Sequence, residues 1–233
     1  MSSVLTVADS ILKIGSNAAW TPAALTVEAW MKNTSDPGTY KYGVAHRSWT
    51  IYNSNDTAAP FMNPMGVWQD SGGGYRFIRP GSSIGTVWHH VAMTVSDGGS
   101  IKMFIDGVEV GTPTSIVGLT IKTTAGPIWL GTHIDDPNTN VLKLSDVRIW
   151  SVVRSQAEIS ANYQARLVGN ETNLIGYWKL NETTGNTAED STSNNRDATA
   201  TAASWSADDP TPFIIPSSVK KTTNQNLQNL LSL

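Results

Sequence analysis

Four histidines and a scatter of carboxylates are the groups through which this 233-residue chain could do chemistry, and their spacing argues against most of it. His89 and His90 are neighbours in an alternating run, so on a strand they point to opposite faces and cannot share one metal ion. His46 and His133 have no serine elbow beside them, which leaves nucleophilic catalysis without support. The absence of cysteine excludes thiolate metal sites and a disulfide framework. Oxygen donors are better placed. His133-Ile134-Asp135-Asp136-Pro137-Asn138-Thr139-Asn140 offers the hard ligands calcium takes, from Asp135, Asp136 and Asn138, although the same residue types also build ordinary turns.

Saccharide recognition needs an exposed aromatic platform with amide or carboxylate groups beside it. Trp68-Gln69-Asp70-Ser71-Gly72-Gly73-Gly74-Tyr75 is the best candidate: Trp68 and Tyr75 flank open glycine backbone, and Gln69 and Asp70 supply the polar groups. Trp49, with Tyr52, is a second candidate. The same segment also reads as a hairpin connection whose aromatics fold back onto a sheet.

The elements that must position these groups are strands. Charged residues make up only 15% of the chain, and Thr, Ser, Asn and Gly are plentiful, which suits a hydroxyl-rich sheet surface. Alternating runs separated by turn clusters predict strands over Leu25 to Met31, Gly43 to Ile51, Gly74 to Ile78, Val87 to Val95, Pro127 to Gly131, Leu142 to Trp150 and Leu174 to Asn181. Asp106-Gly107 between Ile101–Ile105 and Val108–Val110 predicts a two-residue hairpin turn. One helix is signalled: Ser155-Gln156-Ala157-Glu158 is a capping box, followed by Ile159, Tyr163 and Leu167 at helical spacing. Trp30, Trp88, Trp129 and Trp150 sit inside strand patterns and are expected in the core.

After Trp205 the run Asp208-Asp209-Pro210-Thr211-Pro212 reads as a linker, so a domain is expected over 1–205 and a linker and tail over 206–233. The tail places Leu227, Leu230 and Leu231 at helical spacing, a segment too short to hold a helix alone and suited to docking on an assembly. The 16 Lys and Arg are scattered against 19 Asp and Glu, so no basic stripe exists to track nucleic acid. No apolar run reaches the ~20 residues of a spanning helix, and the first residues lack a secretory signal.

In this order the segments Ala24 to Met31, Val87 to Thr94, Ile101 to Val110, Pro127 to Gly131, and Leu144 to Trp150 with Arg154 to Ile159, resemble the laminin-G-like, concanavalin A-like lectin/glucanase family. The resemblance implies an all-β, two-sheet antiparallel jelly roll, and one calcium ion in a rim loop, for which Asp135 to Asn140 is the match. Leu174 to Glu182, closing at Ala198 to Thr201, resembles the strand pair that commonly opens such domains. Here it ends the domain, so these strands either complete their own sheets in a circularly permuted chain or are donated to a neighbour; self-completion is favoured because it needs no partner concentration. Glucanases of the family need two carboxylates across the scissile bond. Glu28 lies between apolar neighbours, Glu109 follows a hairpin turn and Glu158 caps a helix, so no strand projects such a pair.

The expectation is therefore a non-catalytic lectin-like module on the surface of a larger assembly, such as a phage virion or tail, contacting that assembly through its tail and cell-surface glycans through its loops. The alternatives are a free-standing calcium-dependent lectin and a glucan-processing enzyme. Membrane insertion and nucleic-acid partners are not expected, and a homo-oligomer is left open.

Overall fold

The computed structural model describes residues 4–6, 11–34, 41–54, 63–132, 142–200 and 203–210. Along the chain run β1 (Val4–Thr6), β2 (Leu12–Ile14), β3 (Ala24–Asn33), β4 (Lys41–His46), β5 (Trp49–Ser54), β6 (Asn63–Gln69), β7 (Tyr75–Ile78) and β8 (His89–Ser96). They continue with β9 (Ser100–Ile105), β10 (Val108–Ser115), β11 (Ile128–Leu130), β12 (Leu142–Trp150), α1 (Gln156–Asn162), β13 (Leu174–Trp178), β14 (Thr187–Ala188), β15 (Ala198–Thr199) and β16 (Trp205–Ser206). The first sheet has the order β10-β9-β8-β3-β12-β1-β16, with β13 also on β12; the second has the order β14-β15-β2-β11-β4-β5-β6-β7. All these pairings are antiparallel, and the fold is the jelly-roll sandwich the sequence implies.

Local chemistry sets the connections. Asp106 and Gly107 adopt φ of 49° and 80°, the pair of left-handed residues a two-residue hairpin needs, and Val108 pairs with Ile105 across the turn. Ser155 caps α1 by accepting from the Glu158 amide while the Glu158 carboxylate accepts from the Ser155 amide. The helix ends at Asn162, so Tyr163 and Leu167 lie on the segment that follows rather than on a longer helical face.

The expected strand over 43–51 is two strands. His46 pairs with Trp49, and Arg47-Ser48 turn the chain between them; His46 Nδ1 accepts from the Ser48 amide at 3.1 Å and so braces the turn. No glycine or proline marks this reversal, which is why alternation alone ran through it.

The core between the sheets is filled from alternate positions, among them Val27, Ala29 and Met31 of β3 and Val91 and Met93 of β8. Its four fully buried tryptophans are Trp20, Trp49, Trp68 and Trp178. Of the tryptophans expected in the core, Trp30 and Trp150 are buried, on the outer face of the first sheet, where Trp30 donates to the Tyr163 carbonyl and Trp150 to Glu28; Trp88 and Trp129 are not, which corrects the expectation for those two. Trp129 faces outward because Ile128 and Leu130 on either side face the core, and Trp88 is half-buried ahead of β8.

The C-terminal strands pair within the chain: β13 on β12, and β14 through β15 onto β2. The expected boundary at 205 moves outward. Trp205 and Ser206 pair with β1, Asp208 Oδ2 lies 2.9 Å from Lys32 Nζ and 2.7 Å from Lys143 Nζ, and Asp209 Oδ1 lies 3.2 Å from Arg166 Nη2. These residues belong to the packed domain. The tail residues Leu227, Leu230 and Leu231 lie outside the described residues.

Candidate functional site

The outer face of the second sheet presents the least covered aromatic surface of the described residues. On β6 the alternation turns Gly66 and Trp68 inward; a Cβ on Gly66 would stand 2.6 Å from Met93 Sδ in the core. Val67 therefore points outward, between Thr50 of β5 and Phe77 of β7, which are its cross-strand partners. Tyr42 pairs with Tyr52 across β4 and β5, their rings 5.6 Å apart, and Tyr75 and Phe77 stand two residues apart on β7 with rings 6.4 Å apart. These side chains line a cleft of about 240 Å³ together with Arg47. Tyr75 is 54% exposed and Phe77 42%, unusual for aromatic rings on a strand.

Of the sequence candidates for a saccharide platform, only Tyr75 stands at this surface as an exposed ring. Trp68 is 0% exposed and packs in the core opposite Trp49, its partner across β5 and β6. Trp49 borders the cleft, but its indole Nε1 donates inward to the Trp20 carbonyl at 2.6 Å. Gln69 and Asp70 are buried as well. Asp70 organises the turn: it accepts from the Gly74 amide at 2.9 Å and pairs with Arg76 at 3.1 Å. Gln69 Nε2 donates to the Gly73 carbonyl. Trp68 cannot serve as a platform, and of the polar groups expected beside it the Asp70 carboxylate and Gln69 Nε2 are spent on the hairpin. The structural reason is parity, since Trp68 and Tyr75 lie on opposite faces of the same sheet. Sequence reasoning missed Phe77, Val67 and Thr50, and the available signal was the alternation of β7.

The outer face of the first sheet is occupied differently. Glu28 is fully buried there; its Oε1 accepts from Trp150 Nε1 at 2.6 Å and from Arg154 Nη1 at 3.1 Å, while His90 Nε2 lies 3.2 Å from its Oε2. Burial alone would raise the Glu28 pKa, but His90, Arg148 and Arg154 outweigh it and hold the carboxyl at about 2. Next to it Arg148 pairs with Asp146 and donates to the Asn162 carbonyl at 3.1 Å, and Tyr177 Oη donates to Asp146 Oδ1 at 2.5 Å. This network ties the segment after β12 to the sheet and leaves Glu28 no access to a substrate.

His46 is buried beside Trp49, and burial pushes its pKa down to about 4. His89 Nδ1 lies 2.7 Å from Asp106 Oδ2, at the turn between β9 and β10. Among the described residues no group of three or more His, Asp or Glu could hold a metal ion. The calcium candidates Asp135, Asp136 and Asn138 lie outside the described residues. No helix among the described residues is long and apolar enough to cross a membrane.

A family model described as the concanavalin A-like lectin/glucanases superfamily matches residues 7–160. Among solved structures the chain is similar to a protein of Bacteroides ovatus provisionally described as carbohydrate binding, with a TM-score of 0.68 and 15% identity over 92% of this chain and 62% of that one. It is also similar to the receptor binding domain of a botulinum neurotoxin C/D mosaic serotype, with a TM-score of 0.52 and 16% identity over 81% of this chain and 52% of that one. A third is the binding domain of Paraclostridial mosquitocidal protein 1, with a TM-score of 0.50 and 14% identity over 80% of this chain and 56% of that one. The chain thus spans between half and two thirds of these proteins, and at such identities the likeness establishes the fold. No curated protein matches the chain in sequence.

Proposed function

The chain belongs to the concanavalin A-like lectin/glucanases superfamily, and from that premise we propose that it is a non-catalytic saccharide-binding module whose contact surface is the outer face of the second sheet. The observation that carries the reading is the pair of exposed rings, Tyr75 and Phe77, beside a cleft lined by Tyr42, Thr50, Val67 and Arg47. Aromatic faces take the apolar face of a pyranose, and the Thr hydroxyl and Arg guanidinium can bond its hydroxyls. None of the residues lining the cleft is Asp or Glu, so it lacks the carboxylate pair that glycoside hydrolysis requires. The description of the B. ovatus protein as carbohydrate binding supports the same reading.

The proposal extends to display on a larger assembly, such as a phage virion or tail, through the segment beyond Pro210. Its support is the proline-rich linker and the apolar spacing of Leu227, Leu230 and Leu231. Calcium held by Asp135, Asp136 and Asn138 belongs to the same reading, from the chemistry of those donors.

The test is a glycan array probed with the full chain, with calcium and with chelator, beside a Tyr75→Ala/Phe77→Ala variant. A set of glycans is expected to bind the wild type and to be lost in the variant. Equal binding of every glycan by the folded variant would reject this cleft, and turnover of β-glucans would reject the non-catalytic reading. Loss of binding in chelator is expected if the calcium ligands act. A chain ending at Pro210 that still incorporates into particles as the full chain does would remove the assembly role of the tail.

A further inference from the structure

A second, larger cleft lies on the other side of the sandwich. It has a volume of about 450 Å³, within the roughly 300–1,000 Å³ of small-molecule sites, and is walled by Trp30, Trp88 and Tyr163 with Asp106, Asp208 and Gln164. Five separate stretches of chain converge there: β3, the approach to β8, the β9–β10 turn, the segment after α1, and the residues after β16. Trp30 lies on the outer face of the first sheet, because its neighbours Ala29 and Met31 face the core. The cleft of Tyr75 and Phe77 lies on the outer face of the second sheet, so the core separates the two.

The walls have a definite chemistry. The rings of Trp30 and Tyr163 stack at 6.0 Å and 28°, and Trp30 Nε1 is already engaged by the Tyr163 carbonyl. Trp88 is oriented by its Nε1, which donates to Asp208 Oδ1 at 3.1 Å. Asp106 Oδ1 accepts from the His90 amide at 2.9 Å, and its Oδ2 lies 2.7 Å from His89 Nδ1. Lys32 and Lys143 both reach Asp208 Oδ2, and Arg166 reaches Asp209, which also lines the cleft. Each carboxylate oxygen has room for two donors, so Asp106 and Asp208 Oδ1 are held in place and still accept further hydrogen bonds. No lysine or arginine lines the cleft itself.

We propose that this cleft is a second saccharide site, taking a neutral or amino sugar whose hydroxyl or ammonium donors face Asp106 and Asp208 while its apolar face lies on the aromatic wall. Asp106 is partnered by His89 and the His90 amide rather than by a lysine or arginine, so an acidic sugar that directs its carboxylate at Asp106 meets a like charge. The cleft on the second sheet has the opposite character, with Arg47 and no acidic lining. The partners of Asp106 and Asp208 hold both below the usual carboxylate range, which makes them acceptors and poor proton donors; this is a geometry for binding, not for hydrolysis. With sites on opposite outer faces, a single copy of the chain bridges two glycans, and the gain in avidity needs no oligomer.

The experiment is a printed array of neutral, amino and uronic-acid oligosaccharides, probed with the full chain and three variants. Asp106→Asn keeps a side chain that tolerates the left-handed turn position, Gln164→Ala is a second probe of the same wall, and Tyr75→Ala/Phe77→Ala removes the other site. A set of neutral or amino saccharides should bind roughly tenfold more weakly to Asp106→Asn or Gln164→Ala, with both variants still folded at the assay temperature, yet bind the Tyr75/Phe77 variant as before. The inference is overturned if every bound saccharide is lost in the Tyr75/Phe77 variant and none in the other two, an outcome that leaves the second-sheet site standing. Uronic acids binding through Asp106 would also overturn it. Loss confined to the Asp106 and Gln164 variants would support this cleft and reject the other, and silence across the array rejects both.

Discussion

Glu28 and Arg154 meet at 3.1 Å on the outer face of the first sheet, with the Arg154 guanidinium lying 4.1 Å from the centre of the Trp150 ring. The contact joins β3 to the residue before the Ser155 cap of α1, across 126 positions of sequence. Both groups are removed from water, so each depends on the other for its solvation.

Replacing Glu28 by Gln should therefore destabilise the protein by about 3–5 kcal/mol near neutral pH, because it leaves a buried guanidinium without its counter-charge. The folded pKa of Glu28, about 2, lies below its ordinary 4.5. Its contribution is present above about pH 4.5 and is lost as pH falls toward 2. Urea unfolding of wild type and Glu28→Gln at several pH values should show a gap that closes over that window. A gap independent of pH would disprove the linkage.

Trp68→Ala should cost about 3–5 kcal/mol of stability, as expected for deleting a buried indole. Calorimetry reads this loss. If Trp68→Ala instead melted like the wild type and lost only ligand binding, the side chain would be at a surface and the placement of β6 would be wrong.

Tyr75→Ala and Phe77→Ala should behave in the opposite way. Both rings are largely exposed, so each substitution should change stability by no more than about 0.5 kcal/mol while weakening saccharide binding about tenfold. Melting curves and binding titrations on the same preparations separate the two effects, and a large drop in melting temperature would count against an exposed platform.

Gly107→Ala tests the hairpin. At φ 80° any side chain is strained, and its Cβ would stand 2.8 Å from Ser160 Cα on α1. A loss of about 1–3 kcal/mol is expected. Gly73, at φ 89° with open space around it, should lose only about 1 kcal/mol as Ala. Equal losses at the two positions would show that the contact with α1 contributes nothing.

Strand alternation, the Asp106-Gly107 turn and the Ser155 capping box were legible because each is local: the residues that satisfy one another lie within a few positions. The Arg47-Ser48 reversal was not, because the groups that brace it are a histidine ring and a backbone amide rather than a turn-forming residue. The buried network around Glu28 was also hidden. Glu28 faces Arg148 only once β3 and β12 are in register, and that register includes a bulge between Ser145 and Arg148.

By itself the sequence determined that this chain would form an all-β sandwich with one capped helix, since period, turn chemistry and capping are properties of neighbouring residues. Which face each aromatic takes was decided only in the tertiary structure. Trp68 and Tyr75 look alike as flanks of one glycine-rich segment, yet the hairpin's register sends Trp68 to the core and Tyr75 to the surface. Trp88, which read as core, borders a cleft because Asp208, after β16, holds its indole there, while Trp30 is buried on the outer face against Tyr163. A strand has two equivalent faces until another layer covers one, and that choice depends on pairings between residues far apart in the chain.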